Sequence, residues 1–379
     1  MEGFSRIRLF PMFSGGTPRP LPPGVMVEDV FNRMEAFRPI AAWRLLLNLP
    51  KAWKVYRSGR TSAPSKAVFL KHRKEYFSQL RQAMERERLF HKRKGASYDA
   101  ASVVLYSFWT ADWATVLGFW KLRDSSVKFV SRMLGFDLFD HRAVEGWHRF
   151  QAFHVRMVEH VYVNGNAGLR HIQKRFPQLK DRFSLSYLAT SDHGTVAWEP
   201  ASALRIVSCS NLVELKRVHL IAEALHHVNG PVQWDHFGDG PELGRIMDVV
   251  KTLPPTAQVN LHGRIPNAEV ISWYKRHPVD VFVHASRTEG LPVAIQEAAS
   301  FGIPLVAADA GGVAEVVTPE SGILLPNQLT GAELGDVLGK FKGSTWYAPE
   351  ARHRVRAFWQ GKFEARMVYG DLMQKLLRQ

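Results

Sequence analysis

The residues best suited to chemistry lie in one short stretch, Ser286–Ala298, with the sequence SRTEGLPVAIQEA. A strand is predicted to end at the start of this stretch, and Pro292 then takes the first position of a helix, where its missing N–H costs nothing. Backbone N–H groups of Gly290 and Leu291 would face outward together with the positive end of the helix dipole. This arrangement suits a diphosphate.

Two carboxylates accompany this loop. Glu289 lies in the loop and Glu297 lies in the predicted helix, eight residues later. Both can reach the same bound ligand. Carboxylates accept hydrogen bonds from sugar hydroxyls, while the N–H groups bind phosphate.

An alternation of strands and helices must position these groups. Strands are predicted at Leu204–Ser208, Val232–Gly238, Val259–Gly263, Asp280–Ser286, Ile303–Ala308 and Gly322–Pro326. Helices are predicted at Lys216–His227, Glu242–Lys251, Ala268–Lys275, Pro292–Phe301 and Val313–Val317. Such an alternation builds a parallel sheet covered on both faces, with ligands at the carboxyl ends of its strands. The second half therefore predicts a Rossmann-like domain.

The first half is less regular. Strands are predicted at Phe4–Phe10, Val103–Trp109, Val127–Ser131 and Val158–Asn164, with a mainly helical, basic segment over Val27–Arg93, a linking segment over Asp181–Ala197 and a helical tail over Pro349–Leu377. A helix carrying Trp113, Leu117 and Trp120 is expected between the second and third of these strands.

The spacing of Glu289 and Glu297 resembles the Glu-x7-Glu signature of glycosyltransferase family 4, whose members are retaining GT-B enzymes. Matching segments are Phe237–Glu242, Leu261–Ile265, Gly302–Val306 and Gly311–Val317. The resemblance covers residues 204–326 densely. It implies an α/β fold with two Rossmann-like domains, each with a parallel sheet flanked by helices. It also implies transfer of a sugar, with retention, from a nucleotide-diphosphate sugar to a saccharide or lipid-linked saccharide, in cell-surface polysaccharide synthesis.

The resemblance also implies roles for single residues. Glu289 would contact the transferred sugar and Glu297 the ribose. Lys216 matches the family's phosphate-binding lysine, and Arg217 beside it could assist. A cation at this place stabilises the charge that grows on the departing diphosphate. The remaining nucleotide-binding residues would be Gly238, Gly263, Arg264, Ile265, Gly290, Leu291 and Pro292, and neither a metal nor a cofactor is implied.

The segment Ser131–Asp137 resembles the Ser-Arg-x-His-Gly-Phe-Asp segment of members that build bacterial surface polysaccharides. Arg132 and Asp137 would line or brace the cleft on the acceptor side. The alternative for these two residues is a structural ion pair.

Three departures from the family pattern weaken the expectation of activity and motivate a rival function. Leu134 replaces a cleft histidine, and Asn211 replaces an arginine that pairs with phosphate. The first βα unit is expected to be missing, unless Ser14–Gly16 is a displaced version of its glycine loop. The rival is a catalytically impaired GT-B protein that acts as a binding or scaffold subunit. Hydrolysis is disfavoured, because Glu297 is committed to ribose and a glycosidase needs two carboxylates flanking one bond.

Charge adds a hypothesis about location. Residues 1–200 hold 32 Lys and Arg against 17 Asp and Glu, so the whole net charge of +15 lies in the first half. Basic residues over Lys51–Lys94, beside Trp43, Trp53 and Tyr56, predict docking on an anionic membrane surface. The alternative is a solvated basic face. A nucleic-acid partner is not expected, because no recognisable nucleic-acid module accompanies the charge.

Other features narrow the class. The single cysteine, Cys209, cannot form an internal disulfide, and no signal peptide or bilayer-length apolar run is visible. No HExxH or C-x2-C pattern indicates a metal. We therefore expect a cytoplasmic protein, peripheral on the inner face of the membrane if the basic stretch docks there. Its predicted domains are 1–197 (acceptor side), 198–355 (nucleotide-sugar binding) and 356–379 (a C-terminal helix returning towards the first domain).

Overall fold

The computed structural model describes residues 7–9, 23, 25–27, 65–71, 78–80, 82–84, 103–143 and 146–378. Its strands are β1 (Ile7–Leu9), β2 (Val25–Val27), β3 (Leu105–Ser107), β4 (Phe129–Met133), β5 (His160–Val163), β6 (Phe183–Leu185), β7 (Leu204–Cys209), β8 (Val232–Phe237), β9 (Ala257–Leu261), β10 (Val281–His284), β11 (Leu305–Ala308) and β12 (Gly322–Leu325). Its α-helices are α1 (Lys66–Lys71), α2 (Asp112–Arg123), α3 (Gln151–Met157), α4 (Asn166–Arg175), α5 (Val218–Ala224), α6 (Leu243–Val250), α7 (Asn267–Tyr274), α8 (Val293–Ser300), α9 (Gly331–Gly339), α10 (Pro349–Phe363) and α11 (Ala365–Leu377).

The chain divides into two compact units. Unit 1 comprises residues 1–164, 168–186 and 371–379, and unit 2 comprises 165–167 and 187–370. The sequence placed the domain boundary after residue 197 and the returning tail from residue 356, whereas the units divide after residues 186 and 370.

Unit 1 contains a four-stranded parallel sheet in the order β3-β4-β5-β6. Alternate residues of β4 face opposite sides, as strand geometry requires. Phe129 and Met133 join the core on one side, and Val130 packs with Leu372 and Leu376 of α11 on the other. The last two turns of the chain therefore cover one face of this sheet.

Much of the basic segment lies outside the described residues. Of the cations predicted to dock on a membrane, only Lys66 and Lys71 are described, and both are exposed on α1. Trp43, Trp53 and Tyr56 lie outside the described part of the chain. Strand β1 pairs with β2 in a parallel two-stranded sheet. Within the described residues, no helix is long and apolar enough to cross a bilayer.

Unit 2 contains a six-stranded parallel sheet in the order β12-β11-β10-β7-β8-β9. The chain builds outward from β7 through β8 to β9, and then starts again on the other side of β7 with β10. Strands β7 and β10 are therefore neighbours, with Ile206 opposite Val281. Their carboxyl ends mark the switch point of the sheet, where doubly wound folds bind ligands.

The α/β class, with two parallel sheets flanked by helices, is as predicted. All six strands predicted in the second half are present, with ends that differ by up to two residues. Strand β6 was missed, because the sequence was interpreted there as a linking segment. The predicted tail helix is two helices, since Glu364 is extended and bridges to Thr190.

Candidate donor site and acceptor-side residues

The loops that follow β7 and β10 are bonded to each other. Arg287 N–H donates to the carbonyl of Leu215 at 2.8 Å. Residues Glu214–Lys216 form one 3₁₀ turn that ends at Arg217, which has a left-handed φ of 48°. This turn directs Lys216 towards the loop after β10. The switch-point loops thus form one surface.

Lys216, Glu289 and His284 meet at one carboxylate oxygen. The ammonium of Lys216 donates to Glu289 Oε1. His284 Nε2 lies 2.9 Å from the same oxygen. His284 is the last residue of β10, and its side chain and that of Glu289 are both buried. The structure therefore brings together two of the predicted site residues, Lys216 and Glu289, and adds His284, which the sequence did not single out.

Both neighbours stabilise the ionised form of Glu289. Burial alone raises the pKa of this carboxyl, but the hydrogen bond and charge of His284, together with Lys216, outweigh it. The pKa falls from 4.5 to about 2. Glu289 is thus an anion at neutral pH, with one oxygen held by two partners.

Glu297 is connected to the loop after β9. Its Oε1 accepts a hydrogen bond of 2.9 Å from Asn267 Nδ2, and Asn267 is the first residue of α7. Burial raises the pKa of Glu297, and the Asn267 bond opposes that rise. The Glu297 carboxylate on α8 therefore lies near the start of α7, which follows the loop containing Gly263, Arg264 and Ile265.

Glycines allow close approach of the loops around this site. Gly238 N–H donates to the carbonyl of Gly263 at 2.9 Å, which joins the loops after β8 and β9. A Cβ added to Gly238 would lie 1.8 Å from the carbonyl oxygen of Ser210. Gly263 has a φ of +68° and open space beside it. Arg264, also in this loop, reaches Asn211 Oδ1 at 3.5 Å.

The helix after Glu289 begins one residue later than predicted. Pro292 occupies the cap position with extended backbone angles, and α8 starts at Val293. The Leu291 side chain is buried, while Gly290 is partly exposed. Gly312 packs directly over the carbonyl of Gly290, where an added Cβ would lie 2.0 Å away.

Arg217, which was expected to assist Lys216, is bonded to main-chain carbonyls. Its Nε donates to the carbonyl of Ala285 at 2.7 Å, and Nη2 donates to that of Ser286 at 3.2 Å. Nη1 donates to the carbonyl of Asn327 at 2.7 Å. Because the guanidinium is buried and bonded to these main-chain oxygens, Arg217 fastens the loop after β10 and does not extend into the site beside Lys216.

The residues missed here had weak signals in the sequence. His284 is a polar residue inside an otherwise apolar strand, five positions before Glu289. Asn267 lies in the exposed loop-to-helix junction that follows Pro266. Their roles become evident only when β10 and α7 are placed around the two carboxylates. Among the described residues, no group of three metal-binding side chains occurs.

In unit 1, the two predicted acceptor-side residues are buried and brace loops. Arg132 donates from Nη1 to the carbonyl of Ser186 at 2.7 Å and from Nε to Tyr106 Oη at 3.0 Å. Asp137 accepts from the N–H groups of Thr110 at 2.8 Å and Leu134 at 2.7 Å. The two side chains are bonded to different partners and do not form an ion pair with each other.

Asp137 is expected to make stability depend on pH. Burial raises its pKa from 3.8 to about 6, although the N–H groups of Leu134 and Thr110 act in the opposite direction. Because the folded pKa exceeds the unfolded one, the native state loses stability as pH rises from about 4 to about 6. Asp137→Asn lacks this loss, so the unfolding free energy of the variant should gain about 3 kcal/mol relative to wild type over that range. Urea unfolding of both proteins at several pH values measures this gain. A difference in unfolding free energy that stays constant with pH would contradict the raised pKa of Asp137.

The fold and the switch-point site define a class. Two units with parallel sheets flanked by helices, and a site at the carboxyl ends of β7 and β10, correspond to the GT-B architecture of glycosyltransferases. Residues 199–342 match the family model described as glycosyl transferases group 1. This segment of the chain is therefore similar to the group 1 glycosyl transferases.

Relatives and solved structures agree with this class. The chain is 31% identical over 137 residues to WcaL of Escherichia coli, which is named for colanic acid biosynthesis, and the match covers 34% of this chain and 33% of that protein. It is 24% identical over 159 residues to TuaC of Bacillus subtilis, named for teichuronic acid biosynthesis, covering 42% and 38%. The chain thus spans about a third of the length of the curated relatives it matches.

Among solved structures, the lipopolysaccharide outer core galactosyltransferase WaaB has a TM-score of 0.60 at 14% identity, covering 79% of both chains. Anabaena HepE in complex with UDP has a TM-score of 0.60 at 16% identity, covering 79% of this chain and 84% of that one. Likeness at this level of identity shows the fold.

Proposed function

We propose that this protein is a retaining glycosyltransferase that moves a sugar from a nucleoside diphosphate sugar to a saccharide or lipid-linked saccharide acceptor in surface polysaccharide synthesis. The observation that carries the proposal is the cluster of Lys216, Glu289 and His284 at the switch point. It combines a cation for a diphosphate with an ionised carboxylate for sugar hydroxyls. The names of WcaL and TuaC support the polysaccharide role.

Each group in the site has a defined task in this proposal. The diphosphate binds at the backbone N–H groups before α8 and beside Lys216, whose charge opposes the negative charge that develops as the sugar departs. Glu289, kept ionised by its neighbours, accepts hydrogen bonds from the transferred sugar. Glu297 and the loop at Gly263 hold the nucleoside.

The proposal includes metal-independent transfer, because Lys216 and the N–H groups supply positive charge beside the leaving group. Activity should therefore persist in excess EDTA.

The retaining part of the proposal has its own test. NMR of the first product formed would show its anomeric configuration, and inversion would refute retention.

The direct test uses the purified full chain with UDP-, GDP-, ADP- and dTDP-sugars. A ligand that binds the folded state raises the melting temperature by mass action. The stabilising donors are then assayed for release of the nucleoside diphosphate with and without saccharide acceptors. Stabilisation by none of them would refute the proposal. Stabilisation without turnover would favour the binding or scaffold subunit.

We expect Glu297→Gln to weaken nucleotide binding. The change keeps the shape of the side chain but removes an anionic acceptor for ribose hydroxyls, and a hydrogen bond to a charged group contributes roughly 1.5–3 kcal/mol. Affinity for the stabilising nucleotide, measured by calorimetry, should fall about tenfold or more. The matched control is Glu350→Gln on an exposed turn of α10, which should change nothing. Equal nucleotide affinity in Glu297→Gln and Glu350→Gln would show that Glu297 does not belong to the site.

Docking of the basic first half on an anionic membrane stays a prediction of the sequence, and we include it in the proposal. Basic residues near an anionic leaflet contribute about 1 kcal/mol each. The full chain should sediment with vesicles that contain phosphatidylglycerol, and added salt should release it. Equal binding to neutral and anionic vesicles at low salt, or no binding to either, would remove the membrane surface from the proposal.

A further inference from the structure

Three large aromatic side chains of unit 1 stand exposed next to one another. The exposed fractions are 49% for Phe108, 48% for Trp109 and 54% for Phe136. Ring centroids are 5.7 Å apart for Phe108 and Trp109, and 6.1 Å apart for Trp109 and Phe136. Grouped apolar exposure of this kind is unfavourable in water and marks a binding surface. We refer to these three rings as the aromatic trio.

The trio lies where a parallel sheet binds ligands. Phe108 and Trp109 follow β3, and Phe136 follows β4, so all three come directly after the carboxyl ends of neighbouring strands. Ser107 and Ser131 are paired across these strands. Ligands of open parallel sheets sit outside this edge.

Both loops that carry the trio are held by buried polar groups. The Asp137 carboxylate joins them, since Oδ2 accepts from Thr110 N–H and Oδ1 accepts from Leu134 N–H. His154 Nδ1 lies 3.0 Å from the carbonyl of Thr110, and Ser107 Oγ donates to the carbonyl of Trp109 at 2.5 Å. The rings are therefore mounted on fixed loops. Burying Asp137 as an anion is itself costly, which raises its pKa.

The arrangement of the rings favours a small ring-shaped ligand over a flat surface. The planes meet at 65° for Phe108 and Trp109 and at 76° for Trp109 and Phe136, so the trio does not form one flat apolar face. Among the described residues, no lysine or arginine lies over the face of any of these three rings. A pyranose presents C–H groups on its faces and hydroxyls at its rim, which suits aromatic faces at an open edge.

We propose that Phe108, Trp109 and Phe136 form a binding site for a saccharide ring. The role of that ring as the acceptor rests on the proposed function, whereas its binding to the trio does not. Arg132 and Asp137, which the sequence analysis placed on the acceptor side, then act by holding the loops, and the exposed rings make the contact.

The test is saturation-transfer NMR on the full chain with four probes: the methyl glycosides of glucose, galactose, mannose and N-acetylglucosamine. At least one should receive saturation from wild-type protein. Trp109→Ala and Phe136→Ala should each reduce that signal about tenfold, as expected when one aromatic contact is lost. The control is Met367→Ala, an equally exposed apolar residue in unit 2, which should leave the signal unchanged. Because the trio is exposed, these variants should keep the wild-type melting temperature.

Three results would overturn the proposal: saturation of none of the probes, an unchanged signal in both trio variants, or an equal loss in Met367→Ala. A fourth would identify another occupant. If Trp109→Ala abolishes sedimentation with vesicles of equal parts phosphatidylcholine and phosphatidylglycerol, while the glycoside signal persists, the trio contacts lipid. Failure of nucleotide-sugar binding would refute the proposed function alone, since the glycoside measurement uses no nucleotide.

Discussion

Lys216→Ala is expected to reduce kcat for sugar transfer by about 100- to 1000-fold, the usual effect of removing one charge-stabilising group from an active site. The ammonium of Lys216 contacts Glu289 and lies on the turn after β7, at the switch point. Its loss removes the cation nearest the expected diphosphate and one of the two partners that keep Glu289 ionised. Release of nucleoside diphosphate under saturating donor measures the effect.

Lys251→Ala provides the matched control. Lys251 is well exposed and pairs with Asp248 at the end of α6. The Lys251→Ala variant should therefore retain full kcat. Lys216→Arg keeps the charge but not the compact ammonium geometry and should recover only part of the rate. Wild-type kcat in Lys216→Ala would exclude this residue from the chemistry and, with it, the leaving-group role assigned to the cluster.

Gly312→Ala is expected to damage both stability and transfer. An added Cβ would lie 2.0 Å from the carbonyl oxygen of Gly290 and 3.3 Å from Leu291 Cδ1. Main-chain atoms would have to move, because the closest contact is with the backbone oxygen of Gly290. Overpacking of this kind costs about 1–3 kcal/mol of stability. Misplacing a positioning loop by about an ångström can cost about 100-fold in rate.

Gly361→Ala separates this steric effect from a general effect of replacing glycine. Gly361 lies in α10 with nothing within 4 Å of an added Cβ, so the variant should be more stable by about 0.5–1 kcal/mol and fully active. Thermal unfolding and the donor assay on both variants provide the comparison. A Gly312→Ala protein with wild-type melting temperature and rate would show that the loop before α8 tolerates displacement.

How far the sequence predicts this protein can be judged from unit 2. Strands such as β7 and β10 are apolar runs between loop signals, and these runs located them. The loop at Glu289 was recognisable because strand end, glycine and proline follow one another in a short local pattern. A strand or a loop that is encoded within about ten consecutive residues can be predicted from sequence, because local backbone preference and the burial pattern determine it.

Contacts between distant segments could not be read in the same way. The partnership of His284 and Lys216 with Glu289 depends on β7 and β10 being neighbours, although β8 and β9 separate them in the chain. The surroundings of Arg217 likewise depend on tertiary structure. Its position beside Lys216 in the sequence suggested a shared role, but its left-handed backbone turns the side chain towards Ala285 and Ser286.

In unit 1, the sequence by itself singled out Arg132 and Asp137 through the segment Ser131–Asp137, but it did not determine the task of each. The two residues were expected to line or brace a cleft, and the structure buries both. The tertiary structure alone decided that Phe108, Trp109 and Phe136 are exposed together. The reason is physical: residue type and spacing establish which strands and loops form, whereas burial follows from which segments pack against each other, and that packing joins residues far apart in the chain.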